Sequence, residues 1–430
     1  MNHACEMNVA GVRCDIFCNV VDNYGDLGVC WRLARQLAEE HGLSVRMWVD
    51  DLSSFSMLCP EADAAAEMQI CRGVEVRLWR KEFPDVQPAE LVIEAFACKL
   101  PQGYLEAMAR QEKKPVWINL EYLSAEDWVE SHHKLPSPHP TLPLTRYFFF
   151  PGFTPKTGGL LLERDLLARR DAFQNSLAKQ QVFWGSLGIE MPAEETLKVS
   201  LFAYENDTLT GLLDIWAAGT QPVLCLVPEG RILPQITQYF GDAEAVAGGN
   251  RARGNLQVRV LPFVEQERYD ELLWACDANF VRGEDSFVRA QWAARPFVWQ
   301  IYPQHDAVHL KKLEAFLMLY GKQLGQPANM ALNGMWQAWN GGRDASLAKQ
   351  TDRRSSREIA SRYAEESSAI LPGGKENRAG QAWPAFISVR DELEHHTKRW
   401  ARHLAENNLA LNLLDFSREI GRMRALKIEG

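Results

Sequence analysis

Two short loops gather the residue types that could do chemistry in this 430-residue chain. In the first, Val21-Asp22-Asn23-Tyr24-Gly25-Asp26-Leu27-Gly28, two acids follow a strand-like run and precede a helical one. Ligands in open α/β sheets bind at such strand ends. A dinucleotide site would call for three glycines here, and carboxylates facing a pyrophosphate repel it. Two glycines with two acids therefore suit acid–base work by Asp22 and Asp26 better than phosphate binding. Asp26 is equally suited to capping the helix that begins near Gly28, because a carboxylate there accepts from unpaired backbone N–H groups; spacing leaves both roles open. The second loop, Arg282-Gly283-Glu284-Asp285-Ser286, ends a strand-like run and opens a helix. Backbone N–H groups at that helix start, with the Ser286 hydroxyl and Arg282, could hold the diphosphate of a nucleotide sugar. Glu284 and Asp285 would then face sugar hydroxyls. The alternative is an N-cap with an acidic first turn. The two acids are adjacent, which is not the spacing of an Asp-x-Asp metal motif, so no metal is expected.

A planar base needs an aromatic face with polar groups at its edge. Phe202 and Tyr204 close one strand-like run, and Leu261-Pro262-Phe263-Val264-Glu265-Gln266 closes another. Strand aromatics also serve as plain core, and the pattern alone does not choose. Pro296 to Asp306 reads as a buried strand entering a polar loop, with Gln304 and Asp306 at the same crevice edge. His132, His133, His139 and His305 show no ligand pattern and receive no role.

These loops need a scaffold that brings strand ends together. Apolar runs and helical periods alternate from Ile16 to Phe150 and again from Leu197 to Tyr302, which predicts two parallel, helix-covered sheets. A charged helix over Leu161 to Lys179 joins them, with a boundary near residue 190. Residues 341 to 383, rich in Ser, Arg, Glu and Gly, read as a solvated insertion, and Val389 to Ala425 as helical. Apolar residues at 46% supply the cores, and a net charge of −9 without a basic stripe argues against nucleic acid. No apolar run reaches the roughly 18 residues of a membrane span. Nine cysteines, an odd number set in apolar runs, suit reduced thiols in the cytoplasm.

Taken in order, Asp22-Asn23-Tyr24-Gly25-Asp26-Leu27-Gly28-Val29, Ile93-Glu94-Ala95-Phe96-Ala97-Cys98, Asn119-Leu120-Glu121-Tyr122-Leu123-Ser124-Ala125-Glu126 and Arg282-Gly283-Glu284-Asp285-Ser286-Phe287-Val288-Arg289-Ala290-Gln291 resemble the elongation factor P arginine rhamnosyltransferase family. The resemblance covers nearly the whole chain to about residue 320. It implies an α/β GT-B glycosyltransferase, two Rossmann-like domains facing a central cleft. Residues 1–190 would take the acceptor, 191–385 the nucleotide sugar, and 386–430 would form helices returning to the first domain. It further implies inverting, metal-independent transfer of L-rhamnose from dTDP-β-L-rhamnose to an arginine of elongation factor P, activating it for ribosomes stalled at polyproline. No cofactor is implied. In that reading Asp26 matches the general base and Asp22 and Glu284 the other catalytic carboxylates. Asn23, Tyr24, Gly25, Tyr204, Phe263, Val264, Gln266, Arg282, Gly283, Glu284, Asp285 and Ser286 match donor-site positions, Phe202 being a further member. The alternative is a nucleotide-sugar transferase with a small-molecule or glycan acceptor.

Overall fold

The computed structural model describes residues 11–20, 25–241, 248–303, 308–341 and 377–426. The first half carries β1 (Arg13–Cys18), β2 (Ser44–Val49), β3 (Met68–Cys71), β4 (Val74–Leu78), β5 (Leu91–Ala95), β6 (Val116–Leu120), β7 (Pro136–Pro138) and β8 (Thr145–Phe149). They form one sheet in the order β3-β4-β2-β1-β5-β6-β8-β7, parallel except where β3 and β7 pair antiparallel at the two edges. β5 and β6 are buried along their whole length, as strands covered on both faces must be. Alternation splits β1 between two layers. Ile16 and Cys18 pack with Leu33 and Leu37 of the helix Gly25–Glu39, whereas Phe17 packs with Trp48, Tyr104 and Trp117 on the other face.

The second half carries β9 (Leu197–Leu201), β10 (Val223–Pro228), β11 (Asn250–Arg253), β12 (Leu256–Leu261), β13 (Ala278–Arg282) and β14 (Phe297–Gln300). Their order is β11-β12-β10-β9-β13-β14, with β11 the antiparallel edge. In both sheets the strand order reverses beside the first strand, between β1 and β5 and between β9 and β13. These are the switch points at which open sheets leave a crevice. Two such domains with their crevices opposed constitute the GT-B architecture.

The chain passes between the halves along two segments that lie side by side. Leu160 N donates to Asn407 O at 3.2 Å and Leu409 N to Leu160 O at 2.9 Å. Gly159, at φ +79°, is required there, since a Cβ would stand 2.1 Å from Asn407 O. The expected single helix over Leu161 to Lys179 is instead two helices, Leu166–Gln174 and Leu177–Ser186, because Ser176 caps a second start by accepting from Lys179 N. Phe173, Phe183 and Trp184 of these helices join the second half's core, so packing crosses over before residue 190. Most of the polar stretch 341 to 383 lies outside the described residues. Its end is not a solvated loop: the helix Arg378–Ser388 buries Ala379 and Trp383. The helix Arg390–Leu404 also packs on the second half, through Trp400, while Leu409–Leu426 crosses to set Phe416 against Tyr147 and Phe149 of the first. Among the described residues no helix is long and apolar enough to cross a membrane.

Candidate active site

The second half's switch point is built around Arg282, the last residue of β13. Its guanidinium lies 4.5 Å over the Phe202 ring and 4.7 Å over the Tyr204 ring. Both rings follow β9, so the two strands that flank the switch point clamp one cation between aromatic faces. Gly283 then turns the chain at φ +63°, a conformation that favours glycine, and its carbonyl accepts from Trp299 Nε1 at 2.9 Å. Ser286 Oγ accepts from Arg282 N at 3.1 Å and donates to Arg282 O, which fixes the start of the helix Asp285–Ala293.

A pocket opens here, at the switch point between β9 and β13. Phe202, Phe263, Val264, Gln266, Tyr269, Arg282, Gly283, Asp285 and Ser286 line it from the second half, and Gly25 and Leu58 from the first. Tyr204 is not on its wall. Its ring is only 3% exposed and packs behind Arg282, against Tyr302, with Arg231 5.6 Å over it. Phe202 takes the wall position. Tyr269, which the sequence reading passed over, meets Phe202 edge-on at 5.7 Å.

Gln266 and Asp285 also join the halves. Gln266 Nε2 donates to Gly28 O at 3.1 Å and to Asp285 Oδ2 at 3.2 Å, while Arg32 Nε donates to Asp285 Oδ1 at 2.8 Å. Behind them Arg289 grips Asp270 with two 2.7 Å bonds and reaches Glu163 at 2.6 Å, and Arg32 reaches the other Glu163 oxygen at 3.1 Å. Burial pushes the Glu163 carboxyl up, but Arg289 and Arg32 outweigh it and hold it well below its usual range. At the rim, Arg35 and Arg72 converge on Glu267 at 2.5 and 2.6 Å. Buried ions repay their desolvation only when paired with good geometry, and these are. The first helix is thereby docked beside the Arg282 pocket at Gly28, where a Cβ would come 3.1 Å from Gln266 Nε2 and 3.3 Å from Asp285.

The structure places two of the acids. Glu284 occupies the N-cap position of the Asp285–Ala293 helix but makes no side-chain cap bond. Its carboxylate instead crosses to the first half and accepts from Leu123 N at 3.3 Å. Asp26 lies inside the first turn of its helix, which begins at Gly25, and is 4% exposed. Asp26 and Glu284 both act on Tyr122: burial, and then these two carboxylates, push its hydroxyl well above the usual tyrosine range. The field of one acid from each half thus reaches the same tyrosine. Asp22, Asn23 and Tyr24, and Gln304 and Asp306, lie outside the described residues. Among the described residues no three His, Cys, Asp or Glu side chains gather as a metal site would require.

A model of the family described as Elongation-Factor P (EF-P) rhamnosyltransferase EarP matches residues 14–418. The protein-arginine rhamnosyltransferase of Pseudomonas putida is 49% identical over 405 residues, covering 94% of this chain and 98% of its own. That of Pseudomonas aeruginosa is 53% identical over 330 residues, 76% of this chain and 87% of its own. A solved structure described as the structural basis for EarP-mediated arginine glycosylation of translation elongation factor EF-P superposes with a TM-score of 0.61 at 38% identity, covering 95% of this chain and 99% of that one. The chain therefore belongs to the EF-P rhamnosyltransferase EarP family and is a glycosyltransferase, a protein-arginine rhamnosyltransferase.

Proposed function

We propose that this enzyme moves L-rhamnose from dTDP-β-L-rhamnose to one arginine of elongation factor P, in the cytoplasm, with inversion and without a metal. The observation that carries the reading is that the Arg282 pocket is lined from both halves by the immediate neighbours of the acids, Gly25 beside Asp26 and Gly283 and Asp285 on either side of Glu284, with Glu284 bonded across to Leu123 N. The aromatic wall, Phe202 and Phe263, takes the thymine. Arg282 and the N-terminus of the helix Asp285–Ala293 take the diphosphate and supply the charge compensation that a metal gives elsewhere. Residues 1–190 present the acceptor, 191–385 hold the donor, and 386–430 brace the two.

In the reaction an arginine nitrogen attacks the anomeric carbon from the face opposite dTDP. The C–N bond forms as the bond to the phosphate oxygen breaks, the electron pair leaves with dTDP, and one N–H proton passes to a carboxylate. Guanidinium has a pKa near 13.8 and a free Asp near 3.9, so full prior deprotonation would cost on the order of 13 kcal/mol. Asp26, with Asp22, instead holds and polarises the guanidinium, and the proton leaves during or after C–N bond formation. Glu284, fixed by Leu123 N, steadies the positive charge that develops on the sugar.

The test is intact-mass spectrometry of elongation factor P incubated with the enzyme and dTDP-rhamnose in chelator, followed by fragmentation. A gain of one deoxyhexose on a single arginine supports the reading. Donor binding without any gain would instead point to a small-molecule or glycan acceptor.

A further inference from the structure

Tyr122 follows β6 at the acceptor side of the cleft and has no part in the donor pocket. Its ring stacks on Phe96, which follows β5, at 4.6 Å and 23°. Phe96 and Ala97 both hold φ +54° and Lys99 φ +57°, left-handed backbone in three side-chain-bearing residues within four positions. Such strain persists only where the surroundings over-determine it, and it concentrates at functional sites. Here Phe96 N donates to Leu120 O at 2.7 Å, Cys98 Sγ to Phe17 O at 3.3 Å and Lys99 N to Glu94 Oε1 at 3.1 Å. The strained turn is thus bolted to both neighbouring strands, and its product is a Phe96 ring laid flat behind Tyr122.

Tyr122, stacked on Phe96, also attracts a cation from the second half. Lys312 Nζ, from the helix Val308–Gly321, lies 5.8 Å over the ring. Leu123, the next residue, binds the Glu284 carboxylate through its backbone N–H. We infer that the cleft face of Tyr122, backed by Phe96, is the seat on which the acceptor arginine lays its guanidinium between Asp26 and Glu284. A planar guanidinium stacks on an aromatic face better than an ammonium does, so it displaces Lys312. Stacking leaves the N–H edge free for the carboxylates. It also turns the opposite face of the plane, where the nitrogen π electrons lie, toward the anomeric carbon. Tyr122 is therefore a positioning residue for the acceptor, and this assignment rests on the proposed transfer to arginine.

The test is steady-state kinetics at saturating dTDP-rhamnose with elongation factor P varied, alongside calorimetric titration with dTDP. Tyr122→Leu should lower kcat/KM for the acceptor roughly 2- to 30-fold, the worth of one cation–π contact, with dTDP affinity within about two-fold of wild type. Tyr122→Phe, which keeps the ring face, should restore kcat/KM to within about two-fold. An unchanged Leu variant would overturn the inference, as would a Phe variant that loses as much as Leu. So would a Leu variant that loses dTDP affinity in parallel, since that is the mark of a merely structural residue. If the wild-type enzyme leaves elongation factor P unmodified, the proposed function fails instead.

Discussion

At the carboxyl end of β13 the charged groups arrive already partnered: Arg282 lies between two rings, Asp285 is held by Arg32 and Gln266, and Arg289 by Asp270 and Glu163. At the carboxyl end of β5 the backbone itself is strained, and what it presents is an aromatic stack whose next residue, Leu123, binds the Glu284 carboxylate. The two sheets share one strand order around their switch points. The difference teaches how one topology serves two tasks. In the proposed reaction a diphosphate donor, which carries fixed charge, would be met by preorganised charge. An acceptor guanidinium would have to be held firmly yet left nucleophilic, a task that suits a flat ring better than a tight ion pair alone.

Asp26→Asn should divide the halves most sharply. Transfer should fall on the order of 10²- to 10⁴-fold, the usual weight of a positioned proton acceptor, while dTDP affinity by calorimetry stays near wild type. Near wild-type turnover would remove Asp26 from the chemistry. Arg289→Met attacks the other side of the comparison, leaving Asp270 and Glu163 buried with one partner fewer. The loss of stability should be about 3–5 kcal/mol, seen as a lower urea midpoint. An unchanged midpoint would mean that the network is not what holds the halves. Gly28→Ala is a gentler version. The added Cβ must displace Gln266 Nε2 and Asp285 by a few tenths of an ångström, for roughly 1–3 kcal/mol, and should weaken dTDP binding more than it changes the rate at saturation.

A further effect is with pH. Burial holds His133 and His396 down at about 4, and His133 Nδ1 accepts from Phe150 N as only a neutral ring can. The unfolded chain protonates these groups near 6.5, so it binds more protons than the folded chain between about pH 6.5 and 4. Stability should therefore fall as pH drops through that window. Glu163, ionised in the fold well below its usual range, extends the loss to lower pH. Denaturant midpoints at pH 8, 6 and 4.5 check this; a flat profile would show that these groups do not titrate as their surroundings dictate.

Much of this scaffold was legible because buried parallel strands declare themselves as short apolar runs, and because Gly283 and its acidic neighbours sit where a strand gives way to a helix. The interdomain network was not legible. Arg32 and Asp285 stand 253 residues apart, and nothing local in either helix says that they meet. Tyr204 illustrates a subtler limit. Period-two alternation puts Phe202 and Tyr204 on one side of the chain, but only the packing of Arg282 and Tyr302 decides which ring reaches the pocket. Trp383 shows the reverse error, an aromatic residue in a polar stretch that the helix Arg378–Ser388 carries into the core. Tyr122 lay inside a quoted motif, yet its role depends on the left-handed turn at Phe96 and Ala97, which side-chain type does not announce.

The division between a donor half and an acceptor half is tested most directly by hydrogen–deuterium exchange of the full chain with dTDP alone and with elongation factor P alone. The account predicts that dTDP protects residues 202–204, 263–269 and 282–286, while elongation factor P protects 96–99 and 120–128. Protection of residues 96–99 and 120–128 by dTDP, or of the Arg282 loop by elongation factor P without dTDP, would contradict it.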